Sequence, residues 1–131
     1  AIILAKLRGV DVVVITPKNT NQKLVNMARN NYIRELLDYD VDIYFTKNML
    51  HAKAVLIDDN IAMLGSVNLD NRSLFLNYEI ATFIYSTNQV EKLYKWAERI
   101  VSESDKDSSH MTTKRSSLFV ESVLKILTPL L

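Results

Sequence analysis

The residues able to do chemistry lie close together: His51-Ala52-Lys53, then Asp58, then Gly65-Ser66-Val67-Asn68. A histidine beside a lysine suits a phosphate ester. The ammonium neutralises phosphate oxygens while the imidazole attacks phosphorus or moves a proton. A free imidazole titrates near pH ~6.5, so both tasks are open to it around neutrality. Ser66 and Asn68 add a hydroxyl and an amide, which are neutral hydrogen-bond partners for phosphate oxygens. Further on, Glu79 offers a carboxylate that could fix the tautomer and orientation of an imidazole. Singly, each residue has an ordinary explanation. A histidine at a strand start is usually a surface residue, a strand lysine usually snorkels, and Asp58 and Gly65-Ser66 read as turn and loop. Together they form His-x-Lys-x4-Asp-x6-Gly-Ser-x-Asn, one pattern over eighteen positions, which chance explains poorly.

The surrounding elements must bring these groups together. Residues 53–57 and 61–64 read as two strands joined by Asp58-Asp59-Asn60, which has turn chemistry. Side chains two apart on a strand share a face, so His51 and Lys53 point the same way, and a hairpin returns Ser66 and Asn68 beside them. A further strand is expected over 78–85, carrying Glu79. Ahead of the hairpin, Ile2–Leu7 reads as helix with Gly9 as its stop. Val10–Ile15 is a β-branched run expected to be a strand buried on both faces. Residues 20–38 carry an amphipathic stripe through Val25, Ala28, Tyr32 and Leu36, widened by Leu24, Ile33 and Leu37, and Val41–Phe45 reads as a strand. After the hairpin, Asn88 with Glu91 suggests a helix start, with Val90, Leu93, Ala97 and Ile100 as its buried side. Ser102–Ser117 is polar and is expected to be a mobile loop, followed by a helix over 118–127 that ends before Pro129. This order predicts an α/β fold, a layered α/β/α sandwich with a mixed β-sheet, as one domain over residues 1–131.

Composition excludes several classes. The 131 residues are nearly half hydrophobic and carry 16 basic against 15 acidic side chains. A net charge of +1 gives no electrostatic reason for nucleic-acid binding. With no cysteine, disulfides, thiolate metal sites and thiol catalysis are out. No apolar run is long enough to span a bilayer. The chain opens on Ala-Ile-Ile-Leu without Met or a signal-peptide pattern, which reads as a piece of a longer protein.

The eighteen-residue pattern resembles the signature of the phospholipase D superfamily, and every position of it is met here. The resemblance implies a phosphohistidine-type mechanism in which His51 attacks phosphorus or serves as general acid. Lys53 and Asn68 then bind phosphate oxygens, with Ser66 beside them, and Glu79 orients a histidine. Asp58, which in this family commonly has a structural role, is a weaker catalytic candidate. The family site needs no metal and no cofactor. It uses two such motifs, one histidine attacking and the other donating a proton. This chain holds one motif, since His110 is followed by Met111-Thr112 and has no lysine two residues on. The second must come from an N-terminal half or from a second copy of the chain.

Beyond the motif, Asn68-Leu-Asp70-Asn-Arg72-Ser-Leu-Phe-Leu-Asn77-Tyr-Glu79 is similar to the C-terminal half of bacterial cardiolipin synthases. So are Gly9-Val10-Asp11 through Pro17 and the ending Leu124 to Leu131. That resemblance implies phosphatidyl transfer between phosphatidylglycerol molecules to make cardiolipin, with His51, as the second-motif histidine, acting as general acid. It implies an anionic phospholipid as partner and a parent at the bacterial cytoplasmic membrane, reached through parts of the parent outside this soluble piece. Nucleic acid is not expected as a partner. Arg72 is a candidate for an acidic headgroup or for pairing with a carboxylate such as Asp70. Lys23, Arg29 and Arg34 are read as an ordinary solvated face rather than a membrane contact, and Leu74-Phe75-Leu76 is expected in the core rather than against acyl chains. Two rivals remain: a single-motif homodimeric phosphodiesterase or nuclease, and an inactive isolated half-domain.

Overall fold

The structure is a computed structural model that describes residues 1–18 and 23–106. In chain order its elements are α1 (Ile2–Leu7), β1 (Val13–Pro17), α2 (Lys23–Leu37), β2 (Asp42–Thr46), β3 (Ala54–Ile57), β4 (Ile61–Gly65), α3 (Asn71–Phe75), β5 (Ala81–Ile84) and α4 (Thr87–Ser102). Helices and strands are interspersed, with β2, β3 and β4 in succession, and both parallel and antiparallel pairings occur, as an α/β chain with mixed pairing requires. Two compact units are distinguished among the described residues, one of 1–49 with 104–106, the other Leu50–Glu103.

In the first unit α1 stops where Gly9 adopts φ +86°. The Gly9 amide donates to the Lys6 carbonyl at 2.9 Å and the Val10 amide to the Ala5 carbonyl at 3.1 Å. This is the Schellman arrangement, which a left-handed residue makes possible. That turn occupies Val10, so β1 begins three residues later than the β-branched run suggests. β1 pairs with β2 in parallel, from Val13 opposite Asp42 to Pro17 opposite Thr46. Burial on both faces of β1 is not what forms, for Val13 is exposed and the rest of the strand is half-buried. The core of this unit lies instead behind β2, where Val41, Ile43 and Phe45 alternate inward onto Ile33 of α2. Arg29, read from the sequence as solvated, turns inward. Its guanidinium donates to the carbonyls of Pro17 at 2.7 Å and Lys18 at 3.0 Å, satisfying the end of β1. Burial pushes its pKa below that of a free guanidinium.

The polar stretch after α4 begins with ordered contacts. Asp105 exchanges backbone hydrogen bonds with Phe45 at 2.8 and 3.0 Å, and Lys106 pairs with Asp42 at 2.6 Å. The remainder of the expected loop, and the helix expected at 118–127, lie outside the described residues.

The second unit is an antiparallel sheet in the order β3-β4-β5, with α4 packed against β3 and β4. Ile57 pairs with Ile61, so three residues close the hairpin. Asp58 and Asp59 both have positive φ, 47° and 54°, and the Asn60 amide donates to the Ile57 carbonyl at 3.1 Å. Positive φ at both central positions is the pattern of a type I′ turn, whose twist matches that of paired strands, and aspartate tolerates it better than most residues. The Asp59 amide also meets the Tyr94 hydroxyl of α4 at 3.3 Å, tying the hairpin tip to the helix. Helix α4 starts at Thr87 after Ser86, two residues before the expected Asn88 cap, and buries Val90 with Leu93, Ala97 and Ile100 along the same side.

Candidate phosphodiester site

The hairpin carries the site. The Gly65 amide donates to the Lys53 carbonyl at 3.1 Å, which extends the β3–β4 ladder one residue past β3. That bond sets the His51–Lys53 segment beside the segment leaving β4. His51, Lys53, Gly65, Ser66 and Asn68 then line one open cleft of about 460 Å³. Five residues of the eighteen-position pattern thus share a single surface.

Within the cleft, Lys53 Nζ lies 2.8 Å from His51 Nε2 and 3.3 Å from the His51 carbonyl oxygen. An ammonium can only donate, so Nε2 accepts and a neutral ring carries its proton on Nδ1. The nitrogen with the free lone pair is therefore the one facing the cation. A phosphate entering the cleft would draw the ammonium toward its oxygens and uncover Nε2.

Gly65 is required by close approach. A methyl there would overlap the Ile80 carbonyl oxygen and come within 2.9 Å of Ala81 Cα, backbone atoms just before and at the start of β5. Replacing Gly65 by alanine should destabilise the fold by about 1–3 kcal/mol through this overpacking, seen as a lower midpoint in chemical denaturation. An unchanged midpoint would contradict the tight β4–β5 contact.

Glu79 does not lie on β5, which begins at Ala81. It precedes the strand, and its oxygens go to other partners than His51. Ser66 Oγ donates to Oε2, and Asn77 Nδ2 donates to Oε1 at 3.3 Å. Ser66 Oγ in turn accepts from the Ile80 amide at 3.1 Å, and the Ser66 amide donates to the Ile80 carbonyl at 2.9 Å. The Ser66 hydroxyl thus lines the cleft with its proton committed to Glu79. Donors hold the Glu79 carboxyl below its ordinary pKa, Ser66 foremost, then Asn77 and Ser73, with the Lys53 ammonium adding a smaller attraction. A depressed carboxyl pKa means that its contribution to stability is present at neutral pH and is lost as pH falls through the folded pKa. Carbon-detected NMR titration should place the Glu79 midpoint below that of a free glutamate, and Ser66→Ala should raise it. A midpoint indifferent to that substitution would dissolve the network.

Asp58 is not brought to the cleft. It forms the hairpin tip, at the far end of β3 from Lys53, because a four-residue strand separates them. Arg72 lies in α3 by its backbone, and its side chain is outside the described residues. Its suggested partner Asp70 caps α3, with Oδ1 accepting from the Ser73 amide at 2.7 Å. Sequence reasoning left α3 unassigned, although Asp70 three residues before Ser73 is a helix-start signal. It also missed Asn77 and Ser73 as partners of Glu79, for which only the Asn77-x-Glu79 spacing gave a hint. Among the described residues no group of three or more His, Asp or Glu side chains is placed to hold a metal ion.

A family model described as cardiolipin synthase, PLD-like domain, matches residues 1–101. The chain belongs to that family. Its cardiolipin synthase relatives include cardiolipin synthase 2 of Bacillus cereus, 35% identical over all of this chain and 26% of the relative. Cardiolipin synthase A of Buchnera aphidicola is 38% identical over all of this chain and 27% of its own length. The chain therefore spans about a quarter of the length of the curated relatives it matches. Among solved structures, NUC from Salmonella typhimurium, a phospholipase D family member, superposes with a TM-score of 0.67 at 23% identity. That match covers 79% of this chain and 68% of NUC, and it assigns the phospholipase D fold. No helix of the described residues is long and apolar enough to cross a membrane.

Proposed function

We propose that this chain is the C-terminal catalytic half of a cardiolipin synthase, one phospholipase D-type half over residues 1–131, transferring a phosphatidyl group between two phosphatidylglycerol molecules. The observation that carries the reading is the single cleft shared by His51, Lys53, Ser66 and Asn68, in a chain matched end to end by cardiolipin synthases.

In the first step an imidazole nitrogen bonds to phosphorus as the P–O bond to glycerol breaks. A second imidazole gives its proton to the departing oxygen. In the second step the hydroxyl of another phosphatidylglycerol attacks phosphorus, the P–N bond breaks, and the hydroxyl proton passes to the second imidazole. The products are cardiolipin and glycerol, and no oxidant or metal enters the balance. Lys53 and Asn68 carry the phosphate oxygens, and Ser66, bonded to Glu79, shapes the floor between them. By analogy with two-motif relatives, His51 is the imidazole that moves protons. The opposing imidazole comes from the N-terminal half of the parent or from a second copy of this chain. Favouring an alcohol over water requires a site that positions lipid and limits water. The parent works at the bacterial cytoplasmic membrane.

The test is incubation of the chain, and of a His51→Ala control, with phosphatidylglycerol and separately with single-stranded DNA. Cardiolipin formed only by the unmodified chain supports the proposal and shows that self-association completes the site. DNA cleavage lost in the control would replace it with the nuclease reading. With neither product, the chain is next mixed with a separately made N-terminal half. Failure to form cardiolipin there would sink the reading.

A further inference from the structure

We propose that the segment from Leu69 to Ile80 is a lipid-docking surface, on which the acyl chains of a phospholipid lie while its phosphate occupies the His51 cleft. The inference rests on the phospholipid reading above and names the residues that would hold the apolar part of the substrate.

The segment is inverted relative to an ordinary surface. Leu69, Phe75, Leu76 and Ile80 are 73, 78, 65 and 75% exposed, Leu74 is 50% exposed, and Tyr78 is fully exposed. The one described side chain of α3 that is buried is polar: Ser73, at 5% exposure. A five-residue helix offers one narrow side to the interior, and Ser73 takes it, with its amide capped by Asp70. The expectation that Leu74-Phe75-Leu76 would be buried is thereby overturned. Scattered exposed apolar residues are common, but six within twelve positions mark a surface made for contact.

Position and charge identify the occupant. Leu69 directly follows the cleft residue Asn68, and Tyr78 and Ile80 flank Glu79, which is bonded to the cleft residue Ser66. An apolar rim thus adjoins a cleft that contains the exposed Lys53 ammonium. A cation for the phosphate beside apolar side chains for the tails complements an anionic phospholipid. A phosphodiester without acyl chains would use only the cleft. Tyr78 and Phe75 are also the kind of side chain that settles where lipid meets water, with an aromatic body for the acyl boundary and, in Tyr78, a polar tip. Binding at such a surface grows with the apolar area it buries.

The experiment is flotation of this chain with vesicles of phosphatidylglycerol mixed with phosphatidylcholine. The triple variant Phe75→Ser/Tyr78→Ser/Ile80→Ser should float at least ~tenfold less than the unmodified chain. The variant Leu4→Ser/Leu7→Ser, on the exposed side of α1, should float normally. Equal loss in both variants, or no loss in the triple, overturns the proposal. So does conversion of a dimer to a monomer by the triple variant with flotation intact, which would make the segment a subunit interface. Circular dichroism checks folding, and if the triple variant unfolds, Tyr78→Ser alone serves, since that fully exposed side chain makes no packing contribution. Flotation needs no turnover, so it reads the docking surface separately from the reaction. Flotation without cardiolipin synthesis would count against the reaction alone, and synthesis without flotation would count against the docking surface alone.

Discussion

Replacing His51 by alanine should lower phosphatidyl transfer by at least about a thousandfold while leaving the denaturation midpoint in place. The side chain is exposed at the cleft and precedes β3, so its loss opens no cavity and unpairs no strand. Its chemical loss is large because no other described group of the cleft offers an imidazole, the side chain that can both attack phosphorus and move a proton. The second histidine of the sequence, His110, lies outside the described residues. Either role for His51, attack on phosphorus or proton transfer, predicts the same fall in turnover. Single-turnover rates with phosphatidylglycerol, in the assembly that supplies both motifs, measure it directly. Retained turnover above about a tenth of the unmodified rate would show that chemistry happens elsewhere.

The Lys53→Met substitution should cost about a hundred- to a thousandfold in kcat/KM, with Lys53→Arg recovering part of it. Methionine keeps the length of the side chain and removes the charge that balances the phosphate. Arginine keeps the charge but spreads it over a planar fork, which cannot reproduce a compact ammonium 2.8 Å from His51 Nε2. The two variants thus separate charge from geometry. If the methionine variant equals the unmodified protein, the lysine is a solvated neighbour and not a phosphate ligand. A fall in kcat at unchanged KM would place its work in the transition state, where charge on the departing oxygen grows.

Much of the hairpin was legible because its signals are local. A β-branched and aliphatic run, two aspartates and an asparagine, and a second aliphatic run suffice to specify strand, turn and strand; His51 and Lys53 lie just before β3 rather than in it, and line one cleft at the hairpin's open end. The cleft followed from that geometry. What was not legible depended on competition between partners. Glu79 could have gone to an imidazole, but Ser66 and Asn77 reach it first, and no sequence spacing ranks those donors. Arg29 reads as one cation among several on a helix, yet the open carbonyls at the end of β1 draw it inward. Leu74-Phe75-Leu76 reads as core by composition, because hydrophobicity alone does not reveal that a single-turn helix has only one residue's width to bury. The start of β1 was misplaced because the Schellman turn at Gly9 occupies the first residue of an otherwise strand-like run.

The turn at Asp58-Asp59 gives the motif a second meaning. The four positions between Lys53 and Asp58 are β3 itself, and the six between Asp58 and Gly65 are the rest of the turn and β4 up to Leu64. The intervals in the pattern are thus a caliper. They set how far the chain travels before it reverses and how far it must return for Gly65 to arrive opposite Lys53 and for Asn68 to reach the same cleft. Since side chains alternate along a strand, one inserted or deleted residue in either arm would invert the parity of everything beyond it. Asp58, which does not line the cleft, would then bear on the proposed chemistry only as the pivot of that measurement.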